Sequence, residues 1–386
     1  MSVDIPLALY VHLPWCIRKC PYCDFNSRAL KGDLPARAYT TSLIVDLRNT
    51  LAELDGRPVQ TVFFGGGTPS LFPATQIARL LSVLREEYPL SAGAEITLEA
   101  NPGTREGIDF DALLEAGVNR LSVGAQTFNP DMLTRLGRIH SVDDIPLTVE
   151  RARKAGFDNI NLDIMHGLPG QQLSMALEDL HLALALDPRH LSWYQLTIEP
   201  NTVFWANPPE LPEEEILCDI QDQGRALLEN AGFAQYEVSA WARQGDECRH
   251  NLNYWRFGDY LGIGAGAHEK LTLGGEIFRR ARWSNPERYQ QQVGKGQRWA
   301  ESRQPCGEEL VFEFMLNALR LRAGFTLDMF TRRTGLASAT ILPRLQAAAQ
   351  RGLMEQWGSD GWRPTDFGLR FLNDLQMLFL DEAARA

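Results

Sequence analysis

No stretch of this 386-residue chain stays apolar long enough to cross a membrane as a helix. Its first residues carry no basic segment with an apolar core behind it, so no export signal is expected. There is no basic excess either: 38 Lys and Arg face 49 Asp and Glu, for a formal net charge of −11. That balance argues against a general nucleic-acid binder, while leaving room for a local basic patch. Low-complexity tracts are missing, and the only internal repeat is an alternation of strands and helices. Cysteine is scarce, with six residues in all. Three of them, Cys218, Cys248 and Cys306, are scattered and read as buried or inert thiols. Together these absences point to a cytoplasmic protein in a reducing compartment. The length allows a sizeable core and two domains.

The remaining cysteines are concentrated. Cys16, Cys20 and Cys23 sit in one short loop after the apolar run Leu7–Leu13, which reads as a buried strand. A disulfide would pair two thiols and strand the third. A closed structural zinc site takes four ligands, and no fourth Cys or His follows close by. His12 precedes the loop but lies in the expected strand. Three neighbouring thiolates suit a four-iron cluster whose fourth iron stays open to a small ligand. A zinc site or a chance cluster of cysteines is the alternative.

The rest of the first half alternates. Strands are expected at 61–64, 94–99, 120–126, 159–165 and 190–198, and helices at 39–55, 73–87, 110–116, 142–155 and 173–186. Gly117 and Gly156 are expected helix stops, and Pro146 is a weak point inside its helix. Six βα units imply a parallel sheet. In such folds ligands bind at the C-terminal strand ends, which places Cys16, Gly65–Thr68, Glu99, Gln126, Asp163 and Thr197 on one rim. A proline-rich break at 200–212 leads to a helix over 213–231 and one more strand over 236–241. Residues 249–256 are aromatic and polar, and 258–268 are glycine-rich. From 308 onward the pattern is helical. A helix-turn-helix over 325–352 and a tight turn at 357–362 read as a small winged-helix domain or as a helical lid. The expected fold is α/β: a partial (β/α)6 TIM-like barrel followed by an α+β C-terminal region with a winged-helix-like end. The expected divisions are 1–235, 236–305 and 306–386.

Single residues add detail. Gly66 and Gly67 allow close backbone approach to a ligand. Glu99 and Asp163 are carboxylates on apolar strands, and a buried Asp needs a partner. The alternative for Glu99 is a solvated strand end.

The Cys-x-x-x-Cys-x-x-Cys loop after the first strand of a partial βα barrel resembles the radical S-adenosylmethionine superfamily. The closer resemblance is to the branch holding oxygen-independent coproporphyrinogen III oxidase and the HemW family of heme chaperones. It is carried by 10–25, Gly65-Gly-Gly-Thr-Pro-Ser70, Glu99-Ala-Asn-Pro-Gly103, Gln126, Asp163, His166-Gly-Leu-Pro169 and Ser192-Trp-Tyr-Gln195, and it spans nearly the whole chain. It implies that Cys16, Cys20 and Cys23 hold a [4Fe–4S] cluster. It implies that Tyr10, Gly66, Gly67, Thr68, Glu99, Gln126, Arg138 and Asp163 shape an S-adenosylmethionine pocket, with Tyr22 on the adenine or the cluster. The oxidase carries a further Cys where this chain has Phe25, and an extension before its first strand. Both differences favour the heme chaperones over porphyrinogen decarboxylation, the alternative function, and make enzyme activity an open matter.

The resemblance also implies heme binding at His250-Asn-Leu-Asn-Tyr-Trp255. An imidazole can ligate heme iron, and Tyr254 and Trp255 can pack on the macrocycle. The residues alone favour the other reading, a core histidine with aromatics buried around it. Cys248 is an alternative axial ligand and His268 a lesser one. The implied partners are heme and heme-accepting proteins, among them respiratory enzymes at the membrane, with peripheral membrane contact and a homodimer. No nucleic-acid partner is expected, and DNA binding through the C-terminal part is the rival.

Overall fold

The computed structural model describes residues 5–54, 56–103 and 107–380. Residues 1–4, the expected helix end at Asp55 and the last six positions lie outside them. Six strands, β1 (Leu7–Leu13), β2 (Val59–Gly66), β3 (Leu90–Ala100), β4 (Arg120–Gln126), β5 (Ile160–His166) and β6 (His190–Gln195), lie side by side in chain order and run parallel. Between them run α1 (Ala36–Leu51), α2 (Ala74–Glu87), α3 (Phe110–Ala116), α4 (Asp144–Ala155) and α5 (Leu173–Ala185). Among the described residues the sheet has two free edges and does not close on itself, as a partial barrel requires.

Local chemistry sets several boundaries. Asp109 accepts a hydrogen bond from the Ala112 N–H and starts α3, and Gly117 ends it in the left-handed region at φ 100°. Gly156 ends α4 in the same way. Pro146 is tolerated because α4 begins at Asp144: its missing N–H falls in the first turn, where no intrahelical acceptor exists.

The structure corrects the reading of the middle third. The single strand expected over 236–241 is two short antiparallel strands, Ala234–Glu237 and Ala240–Ala242. The glycine-rich 258–268 hides a seventh parallel strand, β7 (Asp259–Ile263), on the far side of β1. Gly262 has no side chain because a Cβ there would strike the His268 carbonyl oxygen. Beyond β7 the strands His268–Leu273, Glu276–Arg282 and Trp299–Arg303 extend the sheet antiparallel. Helix α6 (Arg249–Trp255) packs against β1, β2 and β7.

A separate apolar core follows, with Phe314, Phe330, Leu345 and Trp362 among its members. There Phe325–Thr326, Gly361–Pro364 and Met354–Trp357 form a three-stranded sheet beside helices Leu327–Thr334 and Leu342–Gln350, the winged-helix-like end. No helix of the described residues is long and apolar enough to cross a membrane.

Candidate functional site

The loop after β1 folds through its own backbone. Trp15–Cys16 pairs in parallel with Arg28–Ala29. The Cys23 N–H donates to the Cys20 carbonyl at 3.2 Å, and Lys19 Nζ donates to the Phe25 carbonyl at 3.0 Å. Pro21 lies against Gly137, where a Cβ would come 2.9 Å from Pro21 Cδ. All three thiols are partly exposed and line one cavity of about 410 Å³. Burial pushes the Cys16 and Cys23 thiols up, and hydrogen bonds from Thr68 and Ser27 oppose it. Among the described residues no three His, Cys, Asp or Glu side chains converge on a single metal ion. Three thiols spread around one cavity instead match a multi-iron cluster, where each cysteine takes a different iron. The donor set therefore fits that group.

The same cavity gathers Gly66, Gly67, Thr68, Glu99, Gln126, Asp163 and Thr197 of the expected rim, though not Gly65, together with Arg138 and Tyr22, which the resemblance implies. Gly66 sits at φ +114°, and a Cβ there would lie 2.5 Å from the His12 ring. Its N–H donates to Glu99 Oε2 at 3.2 Å. Burial, then the Asp163 charge, pushes the Glu99 carboxyl up to about 8 against the pull of that N–H. Folded Glu99 thus keeps its proton at neutral pH, whereas an unfolded one ionises near 4.3. Stability from this group is fully present below about pH 4 and is lost as pH rises toward 8. Glu99→Gln should flatten that loss and stabilise the ligand-free protein at pH 8 by a few kcal/mol, on the order of the linkage energy. Urea unfolding at pH 5.5 and 8 measures it, and an unchanged difference between the two pH values would count against the assignment.

Gln126 ends β4 in the left-handed region at φ 68°, beside a register shift against β5. A non-glycine residue held there is strained, as residues at functional sites commonly are. Its Oε1 accepts from the Tyr194 hydroxyl at 2.7 Å. Arg138 donates to Asn101 Oδ1 at 2.8 Å, to the Gly124 carbonyl at 2.7 Å and to Cys20 Sγ at 3.8 Å. It ties the cysteine loop to β3 and β4. Asp163 accepts from Ser122 Oγ at 3.0 Å and from Asn161 Nδ2 at 2.8 Å, the partners its burial demands. Tyr22 packs on Phe204, with ring centroids 6.4 Å apart.

Tyr10 lies elsewhere. It lines a second cavity of about 840 Å³ that shares Asp24, Phe25, Gly66, Glu99, Ser122 and Asp163 with the first. Its hydroxyl donates to His12 Nδ1 at 3.0 Å, and His12 Nε2 donates to the Asn26 carbonyl at 2.9 Å. One wall of this cavity is aromatic: Tyr10 stacks on Phe63, and Phe63 stacks on His250 at 5.0 Å.

His250 is in that wall but presents no open nitrogen. Its Nδ1 bonds Thr61 Oγ1 at 2.8 Å and its Nε2 bonds the Tyr254 hydroxyl at 2.9 Å. Burial pulls its pKa down to about 3, so the ring is neutral. Both ring nitrogens are thus engaged, and Nε2 is opened only by movement of Tyr254. Cys248 is also closed. Burial pushes its thiol up to about 12, and it donates to Glu95 Oε1 at 3.7 Å. Glu95 also accepts from the N–H groups of Arg249 and His250, holding the start of α6. His268 is exposed at the edge of the cavity.

Sequence reasoning overlooked Asn101, Ser122, Asn161 and Tyr194, which hold the rim residues in place. For three of them the signal was available: alternate positions of β4, β5 and β6 carry Arg120, Ser122 and Gln126, Asn161 and Asp163, and His190, Ser192 and Tyr194, an inward polar face broken only at Gly124 and Met165.

The chain matches the model of the radical SAM superfamily over residues 10–183 and that of the HemN C-terminal domain over 307–371. It is 48% identical to heme chaperone HemW of Escherichia coli over 98% of this chain and 99% of that protein. It is 36% identical to heme chaperone HemW of Bacillus subtilis over 89% and 92%. Among solved structures it resembles coproporphyrinogen III oxidase (HemN) of Escherichia coli, described as a radical SAM enzyme. There the TM-score is 0.81 and the identity 25%, covering 98% of this chain and 91% of that one.

Proposed function

This chain belongs to the heme chaperone HemW family of the radical SAM superfamily, and on that premise we propose that it binds heme and delivers it to heme-requiring proteins. The observation that carries this reading is near-half identity to a heme chaperone along almost the full length of both chains. Membership of the superfamily implies a [4Fe–4S] cluster and S-adenosylmethionine. In our reading Cys16, Cys20 and Cys23 hold the cluster. Gly66, Gly67, Thr68, Glu99, Gln126, Arg138 and Asp163 bind S-adenosylmethionine in the first cavity, with Tyr22 against the adenine or the cluster and Tyr10 reaching in from the second. When bound, the cluster supplies an electron to S-adenosylmethionine.

Heme is assigned to the second cavity. His250 is its ligand, and Nε2 is the ligating atom. Tyr254 lines that cavity and Thr61 does not, so Nε2 is the nitrogen on the cavity side. The acceptors include respiratory enzymes at the membrane, reached by a cytoplasmic, peripherally associating protein that forms homodimers. The chain divides at about 235 and 305, with the last part carrying the winged-helix-like end.

Anaerobic heme titration of the reconstituted protein, followed by transfer to an apo-hemoprotein, tests the function. Uptake of one heme per chain and its appearance in the acceptor are expected. Turnover of coproporphyrinogen III without heme uptake would instead establish the oxidase, the reading that the HemN-like fold favours and Phe25 disfavours. His250→Ala should weaken heme binding tenfold or more, whereas Tyr254→Phe, which uncovers Nε2, should leave it equal or tighter. If His250→Ala binds heme unchanged, the ligand assignment fails.

A further inference from the structure

The second cavity contains a buried cation with no direct ion-pair partner among the described residues. Arg120 opens β4, is 2% exposed and lines this cavity. It makes one hydrogen bond, from Nη1 to Asn159 Oδ1 at 2.6 Å. Among the described residues its other nitrogens have no hydrogen-bond acceptor and it belongs to no ion pair. Its charge reaches Asp163, His190 and Cys248 through space only. A buried guanidinium in this state costs several kcal/mol unless an anion joins it.

The neighbouring strand repeats the pattern. Thr97 pairs with Arg120 across β3 and β4 and lines the same cavity, and its buried hydroxyl has no partner. A bidentate fork of N–H donors beside a free hydroxyl is a carboxylate receptor. Arg120 opens β4 and Gln126 closes it; Gln126 lines the first cavity and Arg120 the second. Arg120 thus lies at the opposite end of β4 from Gln126 and shares the second cavity with the aromatic wall.

We propose that Arg120 and Thr97 form a carboxylate subsite, and that the ligand they take is a tetrapyrrole through one of its propionate side chains. This rests on the heme reading above and deepens it: the aromatic wall meets the macrocycle and Arg120 fixes which way round it enters.

The test compares iron protoporphyrin IX with its dimethyl ester, which lacks carboxylates, by absorbance titration of the reconstituted protein. Wild type should bind the diacid at least tenfold more tightly than the ester, the factor that about 1.4 kcal/mol gives. Arg120→Gln should bind both at the ester's level, and Arg120→Lys should keep part of the preference. Thr97→Val, a shape-conserving change, should narrow the preference several-fold and serves where Arg120→Gln does not fold. Equal binding of diacid and ester by wild type, or an unchanged preference in Arg120→Gln or Thr97→Val, overturns the subsite while leaving heme binding in place. Binding of neither porphyrin overturns the heme reading and this ligand with it.

Discussion

Cys20→Ser is expected to remove the cluster entirely while leaving the polypeptide folded. The loop owes its shape to backbone pairing of Trp15–Cys16 with Arg28–Ala29, to the Cys23–Cys20 turn and to Pro21 against Gly137, none of which uses a sulfur. A serine hydroxyl is a far harder and less acidic ligand than a thiolate and does not replace it on a soft iron site. With three protein ligands, loss of one leaves two, too few to retain a four-iron cluster. After anaerobic reconstitution, wild type should hold about four irons per chain, and Cys20→Ser should hold nearly none and lose the sulfur-to-iron absorbance. The same is expected at Cys16 and Cys23. Far-ultraviolet circular dichroism of the cluster-free proteins should coincide. Full iron loading of any of these variants would remove that cysteine from the ligand set.

The largest stability effect is expected at Arg282→Met. Arg282 and its carboxylate partners Asp46 and Glu269 have fully buried side chains. Its Nε bonds Asp46 at 3.0 Å, Nη1 bonds Glu269 at 3.0 Å, and Nη2 bonds Thr50 Oγ1 at 2.9 Å. Tyr289 donates to Asp46 at 2.8 Å. One guanidinium thus joins α1, two strands of the antiparallel extension and the helix Pro286–Gly294. Removing it strands the buried Asp46 carboxylate and leaves Glu269 with Arg280 alone, at 3.3 Å, at a cost of about 3–5 kcal/mol. Removing all three charges together avoids that penalty, so Asp46→Asn/Glu269→Gln/Arg282→Met should be more stable than Arg282→Met alone. Denaturant midpoints decide the matter. A single variant within about 1 kcal/mol of wild type would show that the network is not holding the extension to α1.

How much of this was legible in the chain depended on how local the cause was. The ends of α3 and α4 were readable because Gly117 and Gly156 act on their own helices. The rim residues were readable because parallel βα units bring every C-terminal strand end to one side. The seventh parallel strand was not, since its partner β1 lies some 250 residues earlier and glycines mask its pattern. The same distance hid the network around Arg282. Tyr10 was expected beside the first cavity and lines the second, a matter of side-chain direction within one strand.

The sequence by itself determined the cysteine loop, the βα order and the polar face of the strands, because each depends on neighbours a few residues apart. Only the tertiary structure decided what that polar face encloses. It closed His250 between Thr61 and Tyr254, and it left Arg120 buried beside Thr97 with no direct ion pair among the described residues. Whether a polar atom is paired or free depends on groups brought together from distant strands, and hydrogen bonds form over about 3 Å of space, not over stretches of chain.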